Sequence, residues 1–175
     1  MTPVNCLDKT DEEIVLLTHE EEEYFACLIK RYEKRLLVYI KRLADLKIDE
    51  AEDILQETFI KTFYNLNDFD AGLKFSAWIY RIAHNETINF LRRNKIRATV
   101  FLTDEEWQKI AVDVDIKEKA GQKIDAEKIR NLLDKMEQKY QDVLVLKFLE
   151  GYDYKEISDI LQKPMGTIAT LIGRA

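Results

Sequence analysis

Proline and glycine are scarce, at two and five in 175 residues. A chain with so few breakers cannot be built from many tight turns, and its recurring Leu, Ile, Lys and Glu point to long helices joined by short connections. No run of eighteen apolar residues occurs, and the N-terminus lacks the basic, apolar and small-residue order of an export signal. Membrane insertion and secretion are therefore not expected, and a cytoplasmic protein is. Cysteine is limited to Cys6 and Cys27, with no CxxC and no clustered histidine, so neither a zinc site nor a disulfide framework is indicated and two reduced thiols are expected. Also missing are a glycine-rich phosphate loop, GxSxG and HExxH, and the histidines number two, His19 and His84. No catalytic constellation remains once these are set aside, so the chain is not expected to be an enzyme or to need a cofactor or metal.

What is present is 46% hydrophobic and 34% charged, enough for one ordinary core or two small ones. The formal charge of -6 is unevenly spread. In the first 23 residues Asp8, Asp11, Glu12, Glu13 and Glu20 to Glu23 face Lys9 alone, a local balance of -7 that leaves the remainder at about +1. Residues 1–19 read as an acidic leader, a solvated and mobile start.

Beyond the leader the apolar spacing is helical. Phe25, Leu28, Ile29, Tyr32, Leu36, Tyr39, Ile40 and Leu43 recur every three or four residues between Glu22 and Ala44. A second helix opens at Asp49, a potential cap with Glu52 three residues on, and buries Ile54, Leu55, Phe59 and Phe63. A third, with Ser76 as candidate cap, turns Phe75, Trp78, Ile79, Ile82, Ala83 and Leu91 inward and Arg81, His84, Asn85, Asn89, Arg92 and Arg93 outward. From Arg81 to Arg97 five basic residues oppose Glu86 alone, which makes this the most positive segment. His84 on that face is a candidate phosphate contact. Phe75, Trp78 and Tyr80 can be core or can form pockets for unstacked bases, and the pattern leaves both readings open.

The periodicity weakens over residues 98–125, the expected linker, and resumes from Ala126 through Ile129, Leu132, Leu133 and Met136 to Tyr140, Val143, Leu144, Leu146 and Phe148. Gly151 is a natural helix stop, Asp153 and Glu156 form a capping box, and Pro164 ends one helix while suiting the start of the next. The fold class is therefore all-α: two small helical domains, residues 20–97 and 126–175, joined by a linker, the second ending in a helix-turn-helix. In a DNA-reading helix-turn-helix the second helix enters the major groove; here Thr167, Ala169 and Thr170 would meet base edges and Arg174 a phosphate, while Ile168, Leu171 and Ile172 hold the helix to its domain.

Three blocks, "AEDILQETFIKTF", "FSAWIYRIAHNETINFLRR" and "YQDVLVLKFLEGYDYKEISDILQKPMGTIATLIGRA", together resemble bacterial RNA polymerase sigma factors of the extracytoplasmic-function type, over roughly Glu20 to Ala175. The resemblance implies that Asp53, Gln56 and Glu57 face core polymerase. It also implies that Lys74, Arg81, Asn85, Asn89, Arg92 and Arg93, flanked by the loop from Asn65 to Gly72, capture the melted minus-ten element. Thr167, Ala169, Thr170 and Arg174 would then read the minus-thirty-five element. The implied partners are core RNA polymerase, promoter DNA and an anti-sigma factor of the membrane-bound kind. Many members carry Lys or Arg where Ala169 and Leu171 stand, so weaker phosphate contact is expected from this helix. Members usually run on past "RA" with further basic residues, so the end at Ala175 is expected to be an early stop or a truncation. A stand-alone helix-turn-helix regulator and a non-transcribing decoy are the competing readings; the first leaves the three N-terminal helices without a purpose.

Overall fold

A computed structural model describes residues 6–44, 46–70, 72–94, 105 and 136–174. Among these, the helices in chain order are α1 (Asp11–Glu20), α2 (Phe25–Leu43), α3 (Ile48–Tyr64), α4 (Phe75–Asn94), α5 (Gln138–Leu144), α6 (Tyr154–Leu161) and α7 (Met165–Arg174). The all-α class expected from the periodicity holds among the described residues. The expected linker, Glu105 apart, and Ile129, Leu132 and Leu133 lie outside the described residues.

The acidic start is not a solvated tail. Thr10 Oγ1 accepts from the Glu13 N–H at 3.1 Å and the Glu13 carboxylate accepts from the Thr10 N–H at 2.7 Å, a complete capping box that starts α1. Three acids in its first turn suit the positive end of the helix dipole, while Ile14, Val15 and Thr18 bury against the body. Arg31 on α2 then donates to the Asp11 carboxylate at 2.6 Å and to the Lys9 carbonyl at 2.7 Å, and Tyr32 donates a short bond to the same Asp11. Because the chain doubles back along α2, Cys6 and Cys27 meet with their Cα atoms 6.3 Å apart and form a disulfide, correcting the expectation of two reduced thiols.

The α2 stripe is buried as its spacing predicts, with Leu28, Leu36, Tyr39, Ile40 and Leu43 fully enclosed by α3 and α4. Two helix starts differ from the sequence reading. The cap of α3 is Lys47, whose backbone N–H donates to Glu50 at 2.9 Å; the acidic run offered two registers, and the earlier one lets helix begin at Ile48. On α4 the cap is not Ser76: the Lys74 carbonyl accepts from the Trp78 N–H at 3.2 Å, and the side-chain acceptor comes from α1, where Glu12 takes the Phe75 N–H at 3.0 Å. No local pattern could show a capping residue 63 positions away.

After α5 the chain makes a single π turn (Val145–Leu149) and stops at Gly151, whose φ of 76° is the left-handed conformation that glycine adopts without strain. Asp153 and Glu156 make the expected capping box, both bonds at 2.8 Å. Gln162 at φ 52° ends α6, and the Pro164 carbonyl accepts from Thr167 and Ile168 to open α7. The apolar faces of α5, α6 and α7, including Val143, Ile157, Ile160, Ile168 and Leu171, and Leu146 of the π turn join one continuous buried cluster with Ala77, Tyr80 and Ala83 of α4.

Candidate nucleic-acid interface

Three surfaces collect the residues singled out by sequence. On α3, Asp53 and Gln56 are exposed, and Glu57 is half-buried beside Lys61 at 3.5 Å. Lys61 also holds the nearly buried Glu86 of α4 at 2.7 Å, an ion pair that raises the lysine's pKa and fixes the α3–α4 register. Along the same edge, Ile60 is 50% and Tyr64 77% exposed. Residues 53, 56, 60 and 64 follow helical spacing, so the α3 face is mixed polar and apolar. Sequence reading missed Ile60 and Tyr64, although their position off the buried stripe marks them as apolar side chains left outside.

On α4, Asn85, Arg92 and Arg93 are exposed, and Arg81 and Asn89 are half-buried. Spacings of four place Arg81, Asn85 and Asn89 along one edge, and Arg92 donates to the Asn89 side chain at 3.0 Å. Lys74 sits exposed at the head of the helix, with its ammonium 2.7 Å from Glu156 of α6. The preceding loop is held by Asp70, which accepts from the Gly72 N–H at 2.8 Å, and by Phe69, whose ring packs 5.7 Å from Phe75 and 5.4 Å from Trp78. Phe75, Trp78 and Tyr80 are all buried, which settles them as core rather than open pockets for bases.

His84 is a correction. It does not lie on the basic outer face but is buried, with Nδ1 3.1 Å from the Tyr39 hydroxyl and Nε2 3.6 Å from Asp142 of α5. Burial lowers the His84 pKa and raises that of Asp142, so both groups are pushed toward their uncharged forms. A phosphate cannot reach this imidazole while α5 covers it.

On α7, Thr167, Ala169, Thr170 and Arg174 are exposed while Ile168 and Leu171 are buried, the division of faces that the spacing predicts. Thr170 donates to the Gly166 carbonyl at 2.8 Å, which keeps its hydroxyl oxygen available as an acceptor. Leu171 points into the core, so only Ala169 stands at an outward position where the family often carries charge.

Both helical blocks match known sequence families in this order. Residues 28–96 match the Sigma-70 region 2 model, and residues 126–175 match the Sigma-70 region 4 model. The ECF RNA polymerase sigma factor SigW of Bacillus subtilis is 33% identical to the chain over 163 residues, covering 88% of this chain and 86% of SigW. The chain belongs to the extracytoplasmic-function family of RNA polymerase sigma factors. As a sigma factor it serves promoter recognition and the initiation of transcription by RNA polymerase. The ECF RNA polymerase sigma-E factor of Haemophilus influenzae is 27% identical over 176 residues, covering 95% and 91%. Among solved structures, CnrH in complex with the cytosolic domain of CnrY superposes with a TM-score of 0.66 at 20% identity, covering 94% of this chain and 91% of that one, a likeness of fold. No helix among the described residues of this sigma factor is long and apolar enough to cross a membrane.

Proposed function

We propose that this sigma factor divides promoter recognition between its two helical domains. Asp53, Gln56 and Glu57, with Ile60 and Tyr64 beside them, form the docking face for core polymerase; a rigid helix with apolar contacts among polar ones suits a specific protein interface. Arg81, Asn85, Asn89, Arg92 and Arg93, with Lys74 and the loop before it, hold the melted minus-ten strand. Arginines take its phosphates, and the asparagines offer both donors and acceptors to unpaired base edges. Thr167, Ala169, Thr170 and Arg174 meet the minus-thirty-five element in the major groove, Ala169 by apolar contact and the threonines by hydrogen bonds.

Opening duplex DNA costs about 1.4 kcal/mol per base-pair step in stacking. The α4 edge offsets this only for strands already held beside it, so melting depends on polymerase as well as on this chain. From Gly151 onward Asp153, Glu156 and Asp159 balance Lys155, Lys163 and Arg174. Counterion release therefore contributes little to duplex binding by α7, and polymerase must bring the DNA to it. The chain itself makes and breaks no covalent bond, acts in the cytoplasm, and answers to an anti-sigma factor. The solved likenesses that include the anti-sigma factor NepR and the cytosolic domain of CnrY support the last point.

The observation that carries this reading is the presence of both sigma blocks in order, each with its polar candidates on an exposed helix edge. Transcription by core polymerase plus this chain from a promoter library tests it. Transcripts that share two spaced sequence elements are expected, with Thr167→Ala changing the preferred upstream element alone. A library that yields no transcript dependent on the chain overturns it.

A further inference from the structure

The face that α7 turns outward has almost no means of telling bases apart by charge or by paired hydrogen bonds. From Met165 through Gly173 the helix holds no Arg, Lys, Asn, Gln, Asp or Glu, and Arg174 stands alone in its last turn. Those absent side chains are the ones that grip a base edge at two points, as Arg does on guanine and Asn or Gln on adenine. What stands outward instead is short or apolar. Met165 is 54% exposed, and Ala169 and Thr170 lie exposed one turn further on. A methyl built on Gly166 or Gly173 would touch nothing within 4 Å, so no neighbour in the fold needs the room these glycines leave. Glycine weakens a helix, and its return here is a surface nearly flush with the backbone, onto which another molecule can close.

Thr170 narrows the chemistry further. Its hydroxyl donates to the Gly166 carbonyl at 2.8 Å, which spends the side chain's single donor on its own helix. It can still accept one hydrogen bond, and it still carries a methyl group. In the major groove an A·T pair and a G·C pair each show two acceptors and one amino donor. Their order differs, but reading order takes the two-point side chains that this helix lacks. The remaining difference is the 5-methyl group of thymine, an apolar knob that packs against Ala and against the methyl of Thr.

Resting on the functional reading above, we propose that Met165, Ala169 and the Thr170 methyl recognise the upstream promoter element through the 5-methyl groups of its thymines. The element is then rich in A·T pairs, and its thymines carry the specificity. Arg174 adds a phosphate contact that is blind to sequence. The glycines let the helix sit deep enough for the methyl groups to lose their water.

Uracil differs from thymine only by that methyl group, so it tests the contact atom by atom. Core polymerase carrying the full chain is titrated against a labelled promoter duplex from the transcription library, with thymine or with uracil throughout the upstream element. Withdrawing one methyl from a dry contact weakens binding by up to about fourfold, so losing two or more should weaken it about tenfold. Uracil placed between the two elements should change nothing. Thr170→Ser removes the side-chain methyl and keeps the hydroxyl, so this variant should lose less to uracil than the wild-type chain does. Equal binding to the thymine and uracil duplexes overturns the proposal. So does an equal loss from uracil between the elements, which would trace the effect to the stiffness of the duplex. A Thr170→Ser chain that loses the full wild-type factor overturns the assignment to this face, and an upstream element made of G·C pairs alone overturns thymine reading outright. A library that yields no transcript dependent on the chain refutes instead the sigma reading beneath the proposal.

Discussion

Replacing Glu12 tests whether the N-terminal helix is a working part of the DNA-facing domain. Glu12 accepts the first free N–H of α4, that of Phe75, at 3.0 Å, and its charge lies at the positive end of a twenty-residue helix. Loss of a side-chain cap costs about 1 kcal/mol, and loss of a carboxylate from a helix N-terminus a further 0.3 to 1 kcal/mol or so. Glu12→Ala should therefore destabilise the chain by about 1 to 2 kcal/mol, and Glu12→Gln, which keeps an acceptor oxygen without the charge, by roughly half as much. For a chain of this size that corresponds to a fall of about 2 to 8 °C in the midpoint of thermal unfolding for the alanine variant. Circular dichroism melts of the three proteins at low salt read the order directly. A Glu12→Ala midpoint equal to wild type would refute the cap, and a glutamine variant below the alanine variant would refute the split between acceptor and charge.

Other expectations follow from the faces and the buried pair. Asp53→Ala combined with Gln56→Ala should weaken binding to core polymerase by about 1 kcal/mol or more in a fluorescence titration, and unchanged affinity would remove α3 as the docking face. Asn85→Ala should impair open-complex formation while leaving duplex binding by the holoenzyme intact; equal loss in both assays would count against strand capture by α4. Asp142 carries a folded-state pKa raised above its ordinary 3.8 by burial, so its contribution to stability is full below that value and is lost as pH rises through the folded value. Asp142→Asn should therefore gain stability relative to wild type as the pH rises above 3.8 in urea titrations, and a pH-independent difference would contradict the burial argument. Reducing the disulfide between Cys6 and Cys27 frees a loop of about twenty residues in the unfolded chain, and should lower stability by roughly 3 kcal/mol without altering the α4 edge.

Much of the fold was legible because the signals were local. Leu28 through Leu43 announce α2 by spacing, Gly151 marks a left-handed stop, Asp153 and Glu156 form their box, and Ile168 and Leu171 separate from Thr167 and Thr170 by helical period alone. What stayed hidden was set by partners far along the chain. The acids of α1 masked the few apolar residues that bury it, and Glu12 caps a helix that begins 63 residues later. His84 looked like a surface base because nothing nearby in sequence revealed that Asp142 and Tyr39 enclose it. For the same reason the candidate DNA edge was readable residue by residue, while its fastening to Glu150 and Glu156 was not.

The division of labour between α4 and α7 predicts that this chain makes core polymerase melt promoter DNA that neither opens alone. Permanganate reactivity of thymines in the minus-ten element of a promoter drawn from the transcription library measures that step directly. Reactive thymines should appear only when the chain, core polymerase and an intact upstream element are present together, and should fade with Asn85→Ala. A protected duplex in the full mixture would contradict the proposed role, as would reactivity that persists without the chain.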